Sequence, residues 1–296
     1  MYFSNERKGE LFILSEAFLW SLFPIVTILS YASVSALASL AWSTFFSAIF
    51  FVLVMGVRGS WHELRKWSAY KDILFGTFIL GVCYYLLFFF GLKYTSAGNA
   101  ALILPTEILF TYLFFRFGRK DTLSKKHTLG AFLMFIGAGI VLYPNLREFH
   151  GGDLLIVLAS AIAPPGNFFQ QRARKSVSSE TMLVIRSSVS ATVIFVVAYF
   201  SGVSTSFTSI QSSLVLLAVN GFLILGLSKF LWVEGIHRLS MTKAISLSNI
   251  SPLLTLLFAW LILRDAPTAW QLTALIPIFF GIRFLQANEK VIIQNA

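Results

Sequence analysis

Long apolar runs recur along the whole chain and alternate with short polar stretches. A helix that crosses the hydrocarbon core of a bilayer, ~30 Å thick, needs roughly 20 apolar residues. Apolar runs suited to this length lie at residues 11–31, 36–57, 72–92, 97–117, 127–143, 153–171, 181–201, 213–236, 242–262 and 267–286. The pattern therefore predicts an all-α membrane protein with ten transmembrane helices, numbered 1 to 10 in chain order, and no soluble domain.

The composition supports this prediction, because 57% of the residues are hydrophobic and only 12% are charged. Soluble domains carry about 25% charged residues. The first apolar run is too long for a signal peptide, and no small-residue cleavage site follows it. Further apolar runs follow it instead. The single cysteine, Cys83, excludes an intrachain disulfide, and we expect it to pack inside a helix.

The distribution of the +10 net charge predicts the orientation of the chain. Eighteen of the 23 Lys and Arg residues fall on the side of the two termini. Lys93, Arg147 and Arg264 fall on the opposite side, and Arg186 and Lys229 lie within helices. Because cytoplasmic loops are enriched in Lys and Arg, both termini are predicted to be cytoplasmic, in the inner membrane of a bacterium. The basic charge orients the chain, so we expect no nucleic-acid partner.

The two halves of the chain resemble each other. At an offset of 144 residues, glycines and a threonine recur: Gly91 and Gly235, Thr111 and Thr255, and Gly137 and Gly281. We place the repeats at residues 9–145 and 151–287. Because each repeat holds five helices, the second is predicted to enter the membrane inverted relative to the first. Inverted-topology repeats are the architecture of many secondary transporters.

Three short segments carry a family resemblance: Leu19-Trp20-Ser21, Thr106-Glu107-Ile108-Leu109-Phe110 and Ile250-Ser251-Pro252-Leu253-Leu254. On these segments, and over about residues 9–286, the chain resembles the drug/metabolite transporter superfamily with paired EamA-type domains. Where the family has a Glu-Pro pair, this chain keeps Glu107 in one repeat and Pro252 in the other. Asp121 and Asp265 stand where the family usually has Glu. The resemblance implies transport of a small metabolite, such as an amino acid, nucleoside or sugar.

Four charged residues interrupt the apolar runs: Glu16, Glu107, Arg186 and Lys229. A charge at the bilayer centre costs about 2.5–3.5 kcal/mol on insertion scales, so these residues are functional candidates for ion pairing or coupling. We expect Glu16 to face Arg186 or Lys229 across the bundle. Glu107 is expected to couple transport to protons or to hold a substrate ammonium. The alternatives are a permanent structural ion pair and, for the two cations, side chains that reach the membrane interface.

Prolines fall inside helices 1, 4, 6 and 9, as Pro24, Pro105, the Pro164-Pro165-Gly166 segment and Pro252. Proline removes a backbone donor and breaks or kinks a helix. In a membrane, the freed carbonyls are tolerated where protein or a watery cavity receives them. We therefore expect broken helices around a midplane site, with the helix 6 break lining the substrate path. Simple packing kinks are the alternative.

Aromatic and hydroxyl side chains complete the predicted substrate site, which comprises Glu16, Trp20, Tyr84, Tyr85, Glu107, Lys229, Ser248 and Asn249. In the repeat, Tyr85 is the equivalent of Lys229. A pocket with aromatic walls and both signs of charge suits a zwitterion or an organic cation, whose ammonium can lie on a ring face.

Catalytic and metal-binding motifs are absent from the sequence, which has no H-E-x-x-H, G-x-S-x-G or glycine-rich phosphate loop. We therefore expect no enzyme activity, no cofactor and no bound metal. Following the family resemblance, we predict a secondary transporter, monomeric or dimeric, that exports amino acids or related amines by alternating access, with protons as a candidate coupling ion. Uptake of a quaternary amine or nucleoside-like solute is one alternative. A non-transporting membrane scaffold or channel is the other.

Overall fold

The computed structural model describes residues 4–119, 125–143, 151–203, 206–236, 238, 239, 244 and 247–286. This part of the chain is helical and contains no strand. Its long helices are α1 (Asn5–Ser30), α2 (Ala36–Arg58), α3 (Trp67–Lys93), α4 (Ala97–Ile103 and Thr106–Arg119), α5 (Lys125–Leu142), α6 (Gly151–Ala173), α7 (Ser179–Phe200), α8 (Phe207–Ile236), α9 (Ser251–Leu263) and α10 (Ala269–Gln286). Asp121 and Arg147 lie outside the described residues.

Each predicted apolar run corresponds to one of these helices, which confirms the all-α membrane fold with ten spans. Seven of the helices in the described ranges are long and apolar enough to cross a membrane, and the apolar parts of α5, α9 and α10 are shorter. Successive helices alternate in direction, so their ends fall on two sides of the bundle. We call the side that holds Asn5 the N-terminal side and the other the opposite side.

Large apolar side chains cover the outside of the bundle. Val57 is 90% exposed, Phe200 is 81% exposed and Phe135 is 71% exposed. Phe23 and Phe88, by contrast, are fully buried in the main core between the helices. An apolar exterior around a packed interior is what a bilayer solvent selects, since lipid tails are as apolar as the side chains that face them.

The two halves are inverted repeats whose helix crossings correspond. Gly91 of α3 packs on α6, where an added Cβ would lie 2.6 Å from Ile156 Cδ1. Gly235 of α8 packs on α1, where an added Cβ would lie 2.5 Å from Ile13 Cδ1. Gly235 is the repeat equivalent of Gly91, and Ile156 is the equivalent of Ile13. The same close contact is therefore made twice, once in each orientation, and it needs glycine both times.

The repeat symmetry exchanges α5 with α10, so the crossing of these two helices is related to itself. Gly137 of α5 lies against Ile278 of α10, and a Cβ at Gly281 would lie 2.8 Å from Met134 Cγ. These four residues form two equivalent pairs at the offset of 144 residues. The fifth helices of the two repeats thus pack on each other about the pseudo-two-fold axis.

Three of the expected helix interruptions are present. In α1 the helix pauses at Leu22, and the second part begins at Phe23 with Pro24 in its first turn. In α4 a turn at Leu104 and Pro105 separates the two parts. In α9 the helix begins at Ser251 after a turn, with Pro252 in its first turn. Each proline takes a position near a helix start, where its missing N–H is not needed.

The expected break in α6 is wrong, because this helix runs continuously from Gly151 to Ala173 through Pro164 and Pro165. The fixed φ of proline, near −65°, is compatible with a helix, so the cost is limited to lost hydrogen bonds and crowding. Close packing supports the segment. A Cβ added to Gly166 would lie 3.0 Å from Ile79 Cγ2 of α3, so the two backbones approach closely here.

α3 and α8 contain further helix irregularities, and no proline marks their positions in the sequence. Residues Thr77–Cys83 and Val219–Ser228 are π-helical, and they occupy corresponding places in the two repeats. Each contains the sequence Ile-Leu-Gly. π-Helical turns are rare and often lie at functional sites, because they displace backbone and side chains from the ordinary helical register.

Candidate functional site

Lys229 on α8 is the central cation of the bundle. Its Nζ lies 3.2 Å from the centroid of the Trp20 ring on α1. It also interacts electrostatically with Glu16, Glu107 and Arg186. An ammonium on the face of a tryptophan is stabilised by the ring quadrupole, most strongly where water is excluded. Lys229 therefore links α8 to helices α1, α4 and α7.

Glu16 of α1 is buried, with 3% of the residue exposed. Its Oε2 accepts a hydrogen bond from Ser248 Oγ at 3.2 Å. Of the two cations expected to face Glu16, Lys229 is the one with which it interacts. No Lys or Arg of the described residues lies within 4.0 Å of its carboxylate, so the two charges are neighbours and not a closed ion pair.

Glu107 lies in α4, just after the interruption at Pro105. Its Oε1 accepts a hydrogen bond from Asn167 Nδ2 of α6 at 2.7 Å. Lys229 is the cation with which Glu107 interacts, again beyond ion-pair distance within the described part of the chain. Asn167 does not stand out in the sequence as a site residue. Its one signal is position, since it directly follows the Pro164-Pro165-Gly166 segment.

An aromatic stack continues from Trp20 into the core. The ring centroids of Trp20 and Phe23 are 4.6 Å apart, and those of Phe23 and Phe88 are 4.9 Å apart. Tyr84 and Tyr85 pack edge to face at 5.3 Å, and each is 6% exposed. The stack gives the charged centre a rigid apolar wall.

Arg186 of α7 is a further cation near Tyr85. The residue is 9% exposed, and it interacts with the Tyr85 hydroxyl. Tyr85 also interacts electrostatically with Glu107, so both a cation and a carboxylate act on its hydroxyl.

The two predicted polar residues before α9 differ in their contacts. Ser248 donates to Glu16, as described above. Asn249 lies in the adjacent turn and is half-buried. Among the described residues, its side chain makes no hydrogen bond. Of this pair, the geometry brings Ser248 to the charged centre.

A polar network closes the N-terminal side of the bundle. Arg58 at the end of α2 pairs with Glu180 at 3.5 Å and with Glu234 at 3.2 Å. Arg238 pairs with Glu234 at 2.7 Å, and Ser60 Oγ donates to Glu180 Oε1 at 2.8 Å. The network therefore joins α2 of the first repeat to α7 and α8 of the second.

A second network closes the opposite side. Asp153 at the start of α6 is fully buried and accepts hydrogen bonds from Thr95 and, at 3.2 Å, from Asn99 Nδ2. Gln271 Nε2 of α10 donates to Asn99 Oδ1 at 2.8 Å and to Ser96 Oγ at 3.3 Å. The charged centre thus lies between two polar networks, and each of them ties the two repeats together.

The charged centre can bind groups of either sign. Glu16 and Glu107 offer carboxylates, Lys229 and Arg186 offer cations, and the aromatic stack offers a ring face. Within the residues that the structure describes, no group of three or more His, Cys, Asp and Glu could hold a metal ion. The carboxylates, the cations and the ring face suit binding and charge compensation.

Comparison with known proteins finds the same architecture. The family model described as "EamA-like transporter family" matches residues 7–143 and again residues 150–286. A crystal structure superposes on this chain with a TM-score of 0.68 at 19% sequence identity. The superposition covers 94% of this chain and 96% of the chain in that structure. At that identity the likeness concerns the fold alone.

Three curated relatives are named as transporters. The uncharacterized transporter YyaM of Bacillus subtilis (strain 168) is 28% identical over 235 residues, 75% of each chain. An uncharacterized transporter of Methanothermobacter thermautotrophicus is 29% identical over 251 residues, 79% of this chain and 69% of the relative. The uncharacterized transporter sll1164 of Synechocystis is 23% identical over 238 residues, 74% of this chain and 67% of the relative. Their names give a class of activity without a substrate.

Proposed function

The chain belongs to the EamA-like transporter family, and from that premise we propose that it is a secondary transporter that exports amino acids or related amines by alternating access. The two repeats, placed at residues 9–145 and 151–287, supply the two inverted halves that such a mechanism rocks against each other. The named relatives are transporters as well. We propose no enzymatic activity.

One observation carries this proposal. Glu16, Glu107 and Lys229 lie close enough to interact, yet in the described part of the chain none of them closes an ion pair. A merely structural role favours charges that neutralise each other, since an unpaired buried charge is costly. Charges held by Ser248, Asn167 and Trp20 instead remain available to a substrate or a proton.

The contact between Lys229 and the ring face of Trp20 limits which class of substrate fits the site. Lys229 already covers this face at 3.2 Å, so an organic cation would have to displace it. A quaternary amine has no anionic group to pair with the displaced Lys229, whereas an amino acid has a carboxylate. This contact therefore favours a zwitterion over the quaternary amine.

The orientation follows from charge. Eighteen of the 23 Lys and Arg residues fall on the side of the termini, so we place both termini in the cytoplasm and the chain in the cytoplasmic membrane. The buried carboxylates can take up and release protons, so protons are the proposed coupling ion.

Flux through purified protein tests the proposal. Proteoliposomes loaded with unlabelled amino acids should take up the labelled compound by counterflow, and empty liposomes and heat-denatured protein serve as controls. A saturable signal for amino acids supports carrier transport of amino acids. Flux that never saturates indicates a channel, and protein that moves no member of an amino-acid and amine panel would overturn the proposal.

A further inference from the structure

A small cavity lies beside the charged centre, among α2, α3, α7 and α8. Its volume is about 10 Å³, close to the space that one water molecule needs. Arg186 of α7 and Tyr85 of α3 line one part of it, and Thr44, Ser47 and Ser190 line another. Guanidinium and hydroxyl groups line the cavity beside apolar atoms, and the transport site described above does not include these hydroxyl groups.

Repeat symmetry places this cavity at the junction of the two halves. Ser35 and Ser178 are equivalent N-cap residues of α2 and α7, at an offset of 143 residues. The same offset pairs the residues that face the cavity or adjoin it: Ser43 with Arg186, Thr44 with Ser187, and Ser47 with Ser190. The hydroxyl positions are kept in both repeats, whereas the cation is present in one. The symmetric part is therefore built of hydroxyls, and Arg186 is an added charge.

Arg186 lacks a carboxylate partner. No Asp or Glu of the described residues lies within 4.0 Å of its guanidinium. Its charged neighbour is another cation, Lys229, and the interactions of Glu16 and Glu107 are with Lys229. Two buried cations side by side repel each other, and an anion bound between or beside them offsets this repulsion.

The hydroxyl groups of the cavity are not fully used. Ser190 is 1% exposed, and its Oγ has no hydrogen-bond partner among the described residues. Ser47 Oγ lies 3.3 Å from Ser187 Oγ and donates to the Leu225 carbonyl at 3.1 Å. A buried hydroxyl without a partner costs free energy, so a ligand that accepts its proton would be stabilised here. Guanidinium and hydroxyl donors together match a carboxylate.

The π-helical segments of α3 and α8 border this cavity. Gly81 belongs to the segment in α3 and Leu225 to the segment in α8. At Gly81 an added Cβ would lie 3.3 Å from Arg186 Cγ, so the α3 backbone passes close to the arginine. A change of register in either segment would alter the room beside Arg186.

We propose that Arg186, with the hydroxyls of Ser47, Ser187 and Ser190, binds the carboxylate of the transported substrate. This inference rests on the proposed transport function and narrows its substrate class to zwitterionic amino acids. Tyr85 interacts with both charge sites, with Arg186 and with Glu107. A substrate bound along Tyr85 directs its ammonium to Glu107 and its carboxylate to Arg186.

The first arm of the test measures carboxylate binding without transport. The wild-type protein in lipid nanodiscs is titrated with sodium acetate at constant ionic strength, and its Tm is followed. We expect a saturable rise in Tm, which Arg186→Gln weakens at least about tenfold in acetate affinity. Ser190→Ala, which removes a hydroxyl without a partner in the described residues, weakens it about twofold to tenfold and folds normally. Arg172→Gln, at a half-exposed surface arginine, is the matched control.

The second arm compares amino acids with the amines that lack their carboxylate. Counterflow is measured for L-leucine and 3-methylbutylamine, and for L-phenylalanine and 2-phenylethylamine. We expect Arg186→Gln to lose amino-acid flux at least about tenfold while the flux of the amines is kept. Arg172→Gln should leave both unchanged.

The outcomes separate the two claims. Acetate that fails to stabilise the wild type, or chloride that stabilises it equally well, overturns the carboxylate site, and the second result indicates a structural inorganic anion. Equal losses of acids and amines in Arg186→Gln also overturn it. Stabilisation by acetate together with no flux of any compound supports the site and overturns the transport function.

Discussion

At the scale of single residues, the contact between Lys229 and Trp20 explains how the bundle holds a buried cation without neutralising it. The ring face stabilises the ammonium by roughly 2 kcal/mol when water is excluded. Glu16 and Glu107 add attraction from beyond ion-pair distance. The amine is therefore held in place while the carboxylates stay open to other partners.

Shortening Trp20 should release this cation. We expect Trp20→Leu to lower substrate affinity about fivefold to thirtyfold, the equivalent of the lost ring contact, and Trp20→Phe to retain most of it. Binding is measured on purified protein by scintillation proximity with labelled amino acid. Trp67→Leu is the control, because Trp67 is 76% exposed at the protein surface. Equal effects of Trp20→Leu and Trp67→Leu would refute the role of the ring.

Glu63, in the turn between α2 and α3, predicts a pH dependence of stability. Partial burial raises the pKa of its carboxyl, but hydrogen bonds from Ser178, Lys66 and Thr181 outweigh this and lower it from 4.5 to about 2. The folded pKa lies below the unfolded pKa, so Glu63 stabilises the fold fully above pH 4.5. This contribution is lost as the pH falls from 4.5 to about 2.

The difference in Tm between wild type and Glu63→Gln measures this contribution. We expect the wild type to melt at the higher temperature at pH 7 and the gap to narrow as the pH falls below 4.5. Thermal unfolding in detergent between neutral and acid pH is the measurement. A gap of constant size over this range would contradict the assignment.

Residues differed in how far the sequence revealed them. Glu16, Glu107 and Lys229 were identifiable because a charge stands out in an apolar run. Asn167 and Asp153 were not, because an amide next to prolines and an acid at a helix start are common in loops and caps. Their roles depend on which helices meet there, and that is a tertiary property.

At the scale of helices, the apolar runs predicted the positions of all ten spans, since the bilayer sets their length. The interruptions were harder to predict. Proline marks a cost to the helix, but the packing of Gly166 on Ile79 decides that α6 continues through it. The π-helical segments of α3 and α8 carry no such mark, because neither contains a proline.

The repeated glycine contacts predict a selective loss of stability. We expect Gly91→Ala to destabilise the protein by about 1–3 kcal/mol, because the added methyl group would press on Ile156 of α6. Gly56→Ala is the matched control, since nothing lies within 4 Å of a Cβ there and alanine favours the helix. Thermal unfolding in detergent distinguishes them. Identical Tm values for the two variants would show that the crossing tolerates a side chain.

At the scale of the whole molecule, two polar networks bracket one charged centre. The network of Arg58, Glu180 and Glu234 lies on the N-terminal side, and that of Asp153, Asn99 and Gln271 lies opposite. Each joins the first repeat to the second. A transporter that opens to one side at a time needs separable contacts of this kind at both ends.

Reporter fusions test the proposed orientation. Green fluorescent protein should fluoresce when fused to either terminus, because both are placed in the cytoplasm by their positive charge. Alkaline phosphatase should be active when fused after Val203, on the opposite side. The reverse pattern would contradict the orientation and with it the proposed direction of transport.

Glu107→Gln tests whether the buried charges bind the substrate and drive its movement. Glutamine keeps the shape and still accepts the hydrogen bond from Asn167, so the fold is retained. The measurement is substrate affinity and counterflow in proteoliposomes as a function of pH, for the variant and the wild type. If Glu107 holds the substrate ammonium, affinity falls at least tenfold, or about 1.4 kcal/mol. If Glu107 carries the coupling proton, binding persists and pH-driven accumulation is lost. A variant with wild-type rate, affinity and pH profile would contradict the account.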